Sequence, residues 1–179
     1  MRARLVAALP LLLLCSLEAG AQAIPGSSWR YYRPSNTGIQ GDFNGAIHIG
    51  PDDDPWIGGY DPSAEEGGVA KFVQAENRWI NISNVDYPVI GHPDMTGTTR
   101  VSDIAADAQG DLWLATWRGA WKMDPDIGAD SLINFASASP ELANGGARNV
   151  AVAPDGTVWF ALIGFGGELG GVIRHTPAT

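Results

Sequence analysis

The chain has 179 residues, with 20 acidic side chains against 11 basic, a formal net charge of −9 and seven tryptophans. That balance argues against nucleic acid and anionic lipid as partners, because both are bound by clustered Lys and Arg. The charges are scattered, with Asp52-Asp53-Asp54 the single run, which is the pattern of a solvated surface.

The first element is a targeting segment over residues 1–23. Arg2 and Arg4 precede an apolar core at residues 5–14, and Ala21-Gln22-Ala23 has the small-x-small form of a cleavage site. The apolar run is shorter than the roughly 20 residues that span a bilayer. No later run suggests membrane insertion, so the expected location is periplasmic or secreted. Cys15 is the one cysteine and falls before the cleavage site. The mature chain, residues 24–179, is then expected to be held by packing without disulfides.

The mature part reads as short β-rich runs punctuated by Gly, Pro, Asp and Asn. Internal repetition decides the architecture. With Trp56, Trp113 and Trp159 aligned, an aliphatic residue stands nine positions before each: Ile47, Ile104 and Val150. Each copy opens with a small, aliphatic inner strand at 46–49, 103–106 and 149–153. A tight turn follows, in which Asp53, Gly110 or Gly156 occupies the position that needs positive φ. The second strand, at 55–59, 112–117 and 158–163, is apolar on both faces and should be covered on both. The third reads Gly-aliphatic-x-basic at 68–71, 119–122 and 171–174. A fourth follows twice, as RWINI (78–82) and SLINF (131–135).

Four antiparallel strands repeated at a spacing near 50 residues are the pattern of β-propeller blades. The expected fold is therefore all-β, a β-propeller with about three four-stranded blades at 46–82, 103–135 and 149–175. The aligned tryptophans are expected to pack between blades. SWRYY (28–32) resembles a fourth strand and would be a clasp completing the last blade. Since propellers have typically 4–8 blades, two arrangements are open. Either the chain is part of a larger propeller, the favoured one, or an oligomer completes the ring.

DAQGDLWLATWRGAWK (107–122) resembles the two-component-regulator propeller repeat, which runs aliphatic, D-x-x-G, L-W-I-G-T, then G-L and a basic residue. APDGTVWFA with GGVIRH, in the third copy, is closer to the repeats of streptogramin lyase-like (virginiamycin B lyase-like) propellers. The first resemblance implies an extracytoplasmic sensor domain or related secreted propeller. The second implies a lyase with a catalytic His and a divalent metal, and neither of these maps residue by residue onto this chain.

Loops joining fourth to first strands, and second to third, should gather at one face, where function usually sits. Candidate ligand-binding residues there are Tyr60, Glu65, His92, Asp94, Arg100, Trp117, Arg118, Arg148, Phe165 and Glu168. Trp117, Arg118 and Phe165 combine planar aromatics with a guanidinium, which suits stacking on a carbohydrate or aromatic ligand; capping of blade ends is the plainer role. His92 with Asp94 and Glu65-Glu66 could form an acid/base or metal cluster. No H-x-H or H-E-x-x-H spacing accompanies them, so no metal and no cofactor is expected. Gly41–Gly45 and Asp52–Asp54 fit Asx turns better than a calcium loop.

The function expected from these residues is that of an exported ligand- or protein-binding sensor module. It would take a small-molecule, carbohydrate or protein ligand through one loop-built face. The alternative is a streptogramin lyase-like lyase or hydrolase using a His and a divalent metal.

Overall fold

Three tight turns of one design set the strands. Gly50, Asp107 and Ala153 donate their N–H groups to the carbonyls of Asp54, Asp111 and Thr157 at 2.9, 2.9 and 2.8 Å. In return Asp53, Gly110 and Gly156 donate to Gly50, Asp107 and Ala153 at 3.0, 3.0 and 2.9 Å. This closure forces positive φ on the donor: 63° at Asp53, 91° at Gly110 and 81° at Gly156. Glycine enters that region freely and Asp tolerates it, so the expected turn residues stand where the geometry needs them. A carboxylate pins each turn. Asp52 Oδ1 accepts the Asp54 N–H (3.2 Å), Asp107 Oδ1 those of Gln109 and Asp111 (3.0 Å each), and Asp155 Oδ1 that of Thr157 (2.9 Å).

The computed structural model describes residues 30–34, 37, 39–64, 66–86, 100–135, 141–142, 145–164 and 170–177. Residues 1–23, where a targeting segment is expected, lie outside them. Around the turns, β1 (Phe43–Ile49), β2 (Pro55–Asp61), β3 (Glu66–Val73) and β4 (Arg78–Ser83) form one antiparallel sheet in that order. The second sheet repeats it with β5 (Val101–Ala106), β6 (Leu112–Thr116), β7 (Gly119–Met123) and β8 (Ile133–Asn134). The third has β9 (Gly145–Val152), β10 (Val158–Gly164) and β11 (Gly171–His175), with β10 central. This is the all-β blade architecture that the repeats imply.

Two details differ from the sequence reading. In SLINF only Ile133–Asn134 joins the ladder. Ser131 is instead the last residue of a 3-10 turn over Gly128–Ser131, held because its Oγ donates to Gly128 O (2.6 Å) and accepts the Asp124 N–H (2.8 Å). The inner strands also start earlier than alternation suggests. Pairing slips by one residue at Gly45, Ser102 and Arg148, which are equivalent positions two before the aligned aliphatic residue. Each is a β-bulge, which keeps the ladder going past the point where side-chain alternation breaks.

Two apolar layers hold the sheets together. Between the first and second, Trp56, Val69 and Ile82 meet Val101, Ile104, Leu112, Leu114, Trp121 and Met123. Between the second and third, Trp113, Ala115 and Ala120 meet Ala147, Val150, Val158 and Phe160. Trp56 and Trp113 are each 1% exposed, as inter-blade packing requires, whereas Trp159 is 43% exposed and Ile47 is 69% exposed. The reason is position: Trp159 and Ile47 lie on the sheet faces turned away from the second sheet. There, among the described residues, no further sheet covers them.

Each tryptophan faces the basic residue of the third strand across the ladder: Trp56 opposite Lys71, Trp113 opposite Lys122, Trp159 opposite Arg174. The cations stand 5.6, 5.2 and 5.9 Å from the ring centroids. Lys122 also bridges Asp111 (2.6 Å) and Asp107 (3.1 Å) of its turn, and Lys71 bridges Asp52 and Asp54. In the proposed clasp, residues 30–32 have no strand pairing, and residues 28–29 lie outside the described ones. Tyr32 packs its ring against Phe72 (5.3 Å) and Trp79 (5.5 Å), on β3 and β4 of the first sheet.

Candidate functional site

The tight turns occupy one end of the sheets. Antiparallel pairing sends the β2–β3 and β6–β7 connections, and the starts of β1, β5 and β9, to the opposite end. Tyr60 stands there near the end of β2, paired with Phe43 on one side and Gly67 on the other. Its ring lies 5.1 Å from that of Phe43. The loop beyond it is tightened by Asp61, whose Oδ1 accepts the N–H groups of Ser63 (2.7 Å) and Ala64 (3.3 Å).

Trp117 and Arg118 form the two-residue turn between β6 and β7. The Thr116 hydroxyl closes it, donating to Gly119 O (2.9 Å) and accepting the Arg118 N–H (3.0 Å), while Gly119 takes φ 101°. This chemistry leaves both turn side chains at the rim. Arg100, just before β5, is bound to the same turn: its carbonyl accepts the Trp117 N–H at 3.1 Å.

These placements converge on one cluster. The Arg100 guanidinium lies 4.9 Å from the Tyr60 ring centroid and 4.9 Å from that of Trp117. A planar cation is thus held by one aromatic from the first sheet and one from the second. Each such contact contributes about 0.5–2 kcal/mol according to how dry it is. The Arg100 Nε is buried and has no hydrogen-bond partner among the described residues, and the same is true of the Ser102 Oγ two residues on. No carboxylate of the described residues lies within ion-pair distance of Arg100, although Lys71, Arg78 and Lys122 each have one.

Of the candidate residues, the structure therefore brings together Tyr60, Arg100 and Trp117, with Arg118 adjacent in the turn. Arg148 is exposed in the β9 bulge, equivalent to Ser102 in β5. Glu65, His92, Asp94, Phe165 and Glu168 lie outside the described residues. Phe43 and Ser102 were not among the candidates. The repeat alignment could have singled out Ser102, because it stands at the same offset from the aligned Trp as Gly45 and Arg148.

The inner strands carry a polar contact of their own. Asp103 Oδ2 accepts the Val150 N–H (3.0 Å) and a longer bond from Asn149 Nδ2 (3.4 Å), joining the second sheet to the third. Burial pushes the His48 imidazole below its ordinary pKa, and attraction to the Asp103 carboxylate partly offsets this. Among the described residues no three His, Cys, Asp or Glu side chains gather as metal ligands. The metal that a lyase-like site requires therefore has no fitting donor set among the described residues.

The clefts between sheets differ in how well they are filled. The space lined by Val69, Ile82, Leu114, Trp121, Met123 and Leu132 is closed down to about 10 Å³. The equivalent space lined by Trp113, Phe135, Leu142, Phe160, Ile173 and His175 leaves about 230 Å³. In it, Trp113 stacks on Phe135 at 5.3 Å and meets His175 at 5.4 Å. Ile173 and His175 replace the bulkier Trp121 and buried Met123, and no fourth strand follows β11 among the described residues.

Comparison with known proteins agrees with the fold. Residues 96–118, which contain Arg100, Trp113 and Trp117, match the family model of the two component regulator propeller. No curated protein matches the chain. The fold is similar to a solved structure described as the extracellular domain of a hybrid two component system, BT4673, from B. thetaiotaomicron. The TM-score is 0.57 at 12% identity, over 83% of this chain and 17% of that one. It is similar also to the corresponding domain of BT3049 from the same organism, with a TM-score of 0.55 at 19% identity, over 76% of this chain and 17% of that one. The chain thus spans about one sixth of the length of either structure. The fold is all-β and of the propeller type, and residues 96–118, which include the first two strands of the second sheet, are similar to the two component regulator propeller repeat.

Proposed function

We propose that the chain acts outside the cytoplasm as a binding and sensing module, taking its ligand on the rim where Tyr60, Arg100 and Trp117 meet. The observation that carries this reading is the cluster itself, with the Arg100 guanidinium 4.9 Å from each ring centroid. Aromatic and guanidinium groups of two sheets are set in place before any ligand arrives. Such preorganisation lowers the ordering cost of binding. Location outside the cytoplasm is supported by the apolar stretch at residues 5–14 with its Ala-Gln-Ala site, and by the extracellular origin of the similar domains.

The ligand classes that suit the rim are small molecules, carbohydrates and protein segments, since all can be gripped by aromatic faces and guanidinium donors. Arrays of immobilised glycans and of peptides, probed with the fluorescently labelled chain, test the reading. At least one class should bind the wild type and lose about tenfold or more in Trp117→Ala, a change of about 1.4 kcal/mol. Ligands that bind Trp117→Ala and Tyr60→Ala undiminished would place recognition elsewhere and overturn the reading.

A further inference from the structure

We infer that Arg100 is the receptor of a carboxylate group on the ligand, an assignment that rests on the rim being the binding face. Three observations converge on it.

The first is charge. Acidic side chains outnumber basic ones 20 to 11, and Lys71, Lys122 and Arg78 each have an acid in contact. Arg100 has none among the described residues, although it is half-buried and central to the rim. A desolvated cation is normally paired or hydrogen-bonded. Arg148 and Arg174 also lack an ion pair among the described residues, but they are exposed to water; Arg100 is half-buried, and an outside anion would complete its pairing.

The second is shape. With Tyr60 and Trp117 each at 4.9 Å from the guanidinium carbon, both aromatic contacts restrict its orientation. The N–H donors of a guanidinium lie in its plane, and a planar two-oxygen acceptor matches that donor fork. A ligand approaching in the plane therefore meets a donor edge matched to a carboxylate. Tyr60 and Trp117 act here as positioning residues.

The third is unmet hydrogen-bonding capacity. The buried Arg100 Nε and Ser102 Oγ both lack partners among the described residues and lie two residues apart at the start of β5. Buried polar groups without partners are rare in folded proteins and call for an explanation. Ser102 is also the bulged residue of β5, and bulges are the device by which strands re-aim side chains beside binding sites.

The test uses the full chain with nitrogen-15 label, following the Arg100 Nε–Hε NMR resonance, assigned by its absence from Arg100→Lys. Two acid/neutral pairs serve as probes: galacturonate with galactose, and benzoate with benzamide. The expected result is a saturable shift with at least one acid and none with its neutral partner. Affinity for that acid should fall about tenfold or more in Arg100→Lys, which keeps the charge and loses the fork. Near-UV circular dichroism of Arg100→Lys should match the wild type, so that lost binding is not lost folding. Equal shifts with inorganic sulfate and phosphate would mean a general anion site and overturn the carboxylate assignment. Shifts of the Trp117 indole with the neutral probes, leaving Arg100 unmoved, would overturn it while leaving the binding-face reading intact.

Discussion

Asp103 accepts a hydrogen bond from the Val150 backbone N–H at 3.0 Å, tying the inner strand of the second sheet to that of the third. Val150 is the residue that aligns with Ile104, so the bond runs between neighbouring positions of successive repeats. Apolar layers hold the sheets face to face without direction, whereas this bond sets the offset of one inner strand against the next.

Removing that link should loosen the second and third sheets. Asp103→Ala is expected to destabilise by about 1–2 kcal/mol, since a hydrogen bond to a charged group contributes about 1.5–3 kcal/mol in total. A fall of about 2–8 °C in Tm follows for a chain of this length. Asp103→Asn keeps an acceptor and should cost less. Thermal unfolding followed by circular dichroism checks both; equal losses in the two variants would show that the acceptor itself is not what matters.

The same carboxylate faces His48, and this supplies a pH signature. Burial lowers the folded pKa of His48 below 6.5, with Asp103 pulling partly the other way. The unfolded chain therefore takes up its proton first, and stability falls as pH drops through 6.5 toward the folded value. In Asp103→Asn the His48 pKa should move lower still. Titration of the histidine ring resonances by NMR measures both, and a rise in Asp103→Asn would contradict the assignment.

The turn ion pairs act at the two ends of the pH scale. For Asp107, burial pushes the carboxyl up, but hydrogen bonds from Trp113 and Lys122 outweigh it and hold the pKa below 3.8. Its contribution is present above 3.8 and lost as pH falls below that. Burial lowers and the pull of Asp111 and Asp107 more than restores the Lys122 pKa, which ends above 10.5; its contribution is complete below 10.5 and lost as pH rises through the folded value. Lys122→Met should therefore flatten the alkaline limb of a stability–pH curve and raise the pKa of Asp107. Urea unfolding at stepped pH reads the first effect. An alkaline limb unchanged in the variant would remove Lys122 from the account.

The open cleft between the second and third sheets can be filled. Ile173→Trp and His175→Met copy Trp121 and Met123, which close the equivalent cleft to about 10 Å³, into a space of about 230 Å³. Cavity volume costs about 24 cal/mol per Å³, and the pair should gain about 1–2 kcal/mol because the mouth stays open to solvent. Denaturant midpoints measure it. A loss of stability in both single variants would mean that the cleft walls cannot adjust to the added volume.

Much of this architecture is legible in the sequence because it is local. The turn residue with positive φ, the apolar second strand and the basic residue of the third lie within one copy, and each copy repeats them. Even the Trp113–Lys122 facing follows from a two-residue hairpin turn, which leaves only one register. SLINF was misread for the opposite reason: Ser131 is claimed by its loop through Asp124 and Gly128, an alternative that strand propensity does not register.

Tyr60, Arg100 and Trp117 were legible only one by one, as residues expected at a common face. That Arg100 lies against both rings was decided by the tertiary structure. The three residues come from two sheets, and their meeting depends on how Trp56, Val101 and Leu114 stack those sheets and on how the bulge at Ser102 turns the start of β5. The same holds for the bond from Asp103 to Val150 across 47 positions. The sequence by itself determined the blades, because strands and turns are set by neighbours in the chain. The packing of one blade on the next decided the candidate site, because its parts meet only once the apolar faces between them are buried.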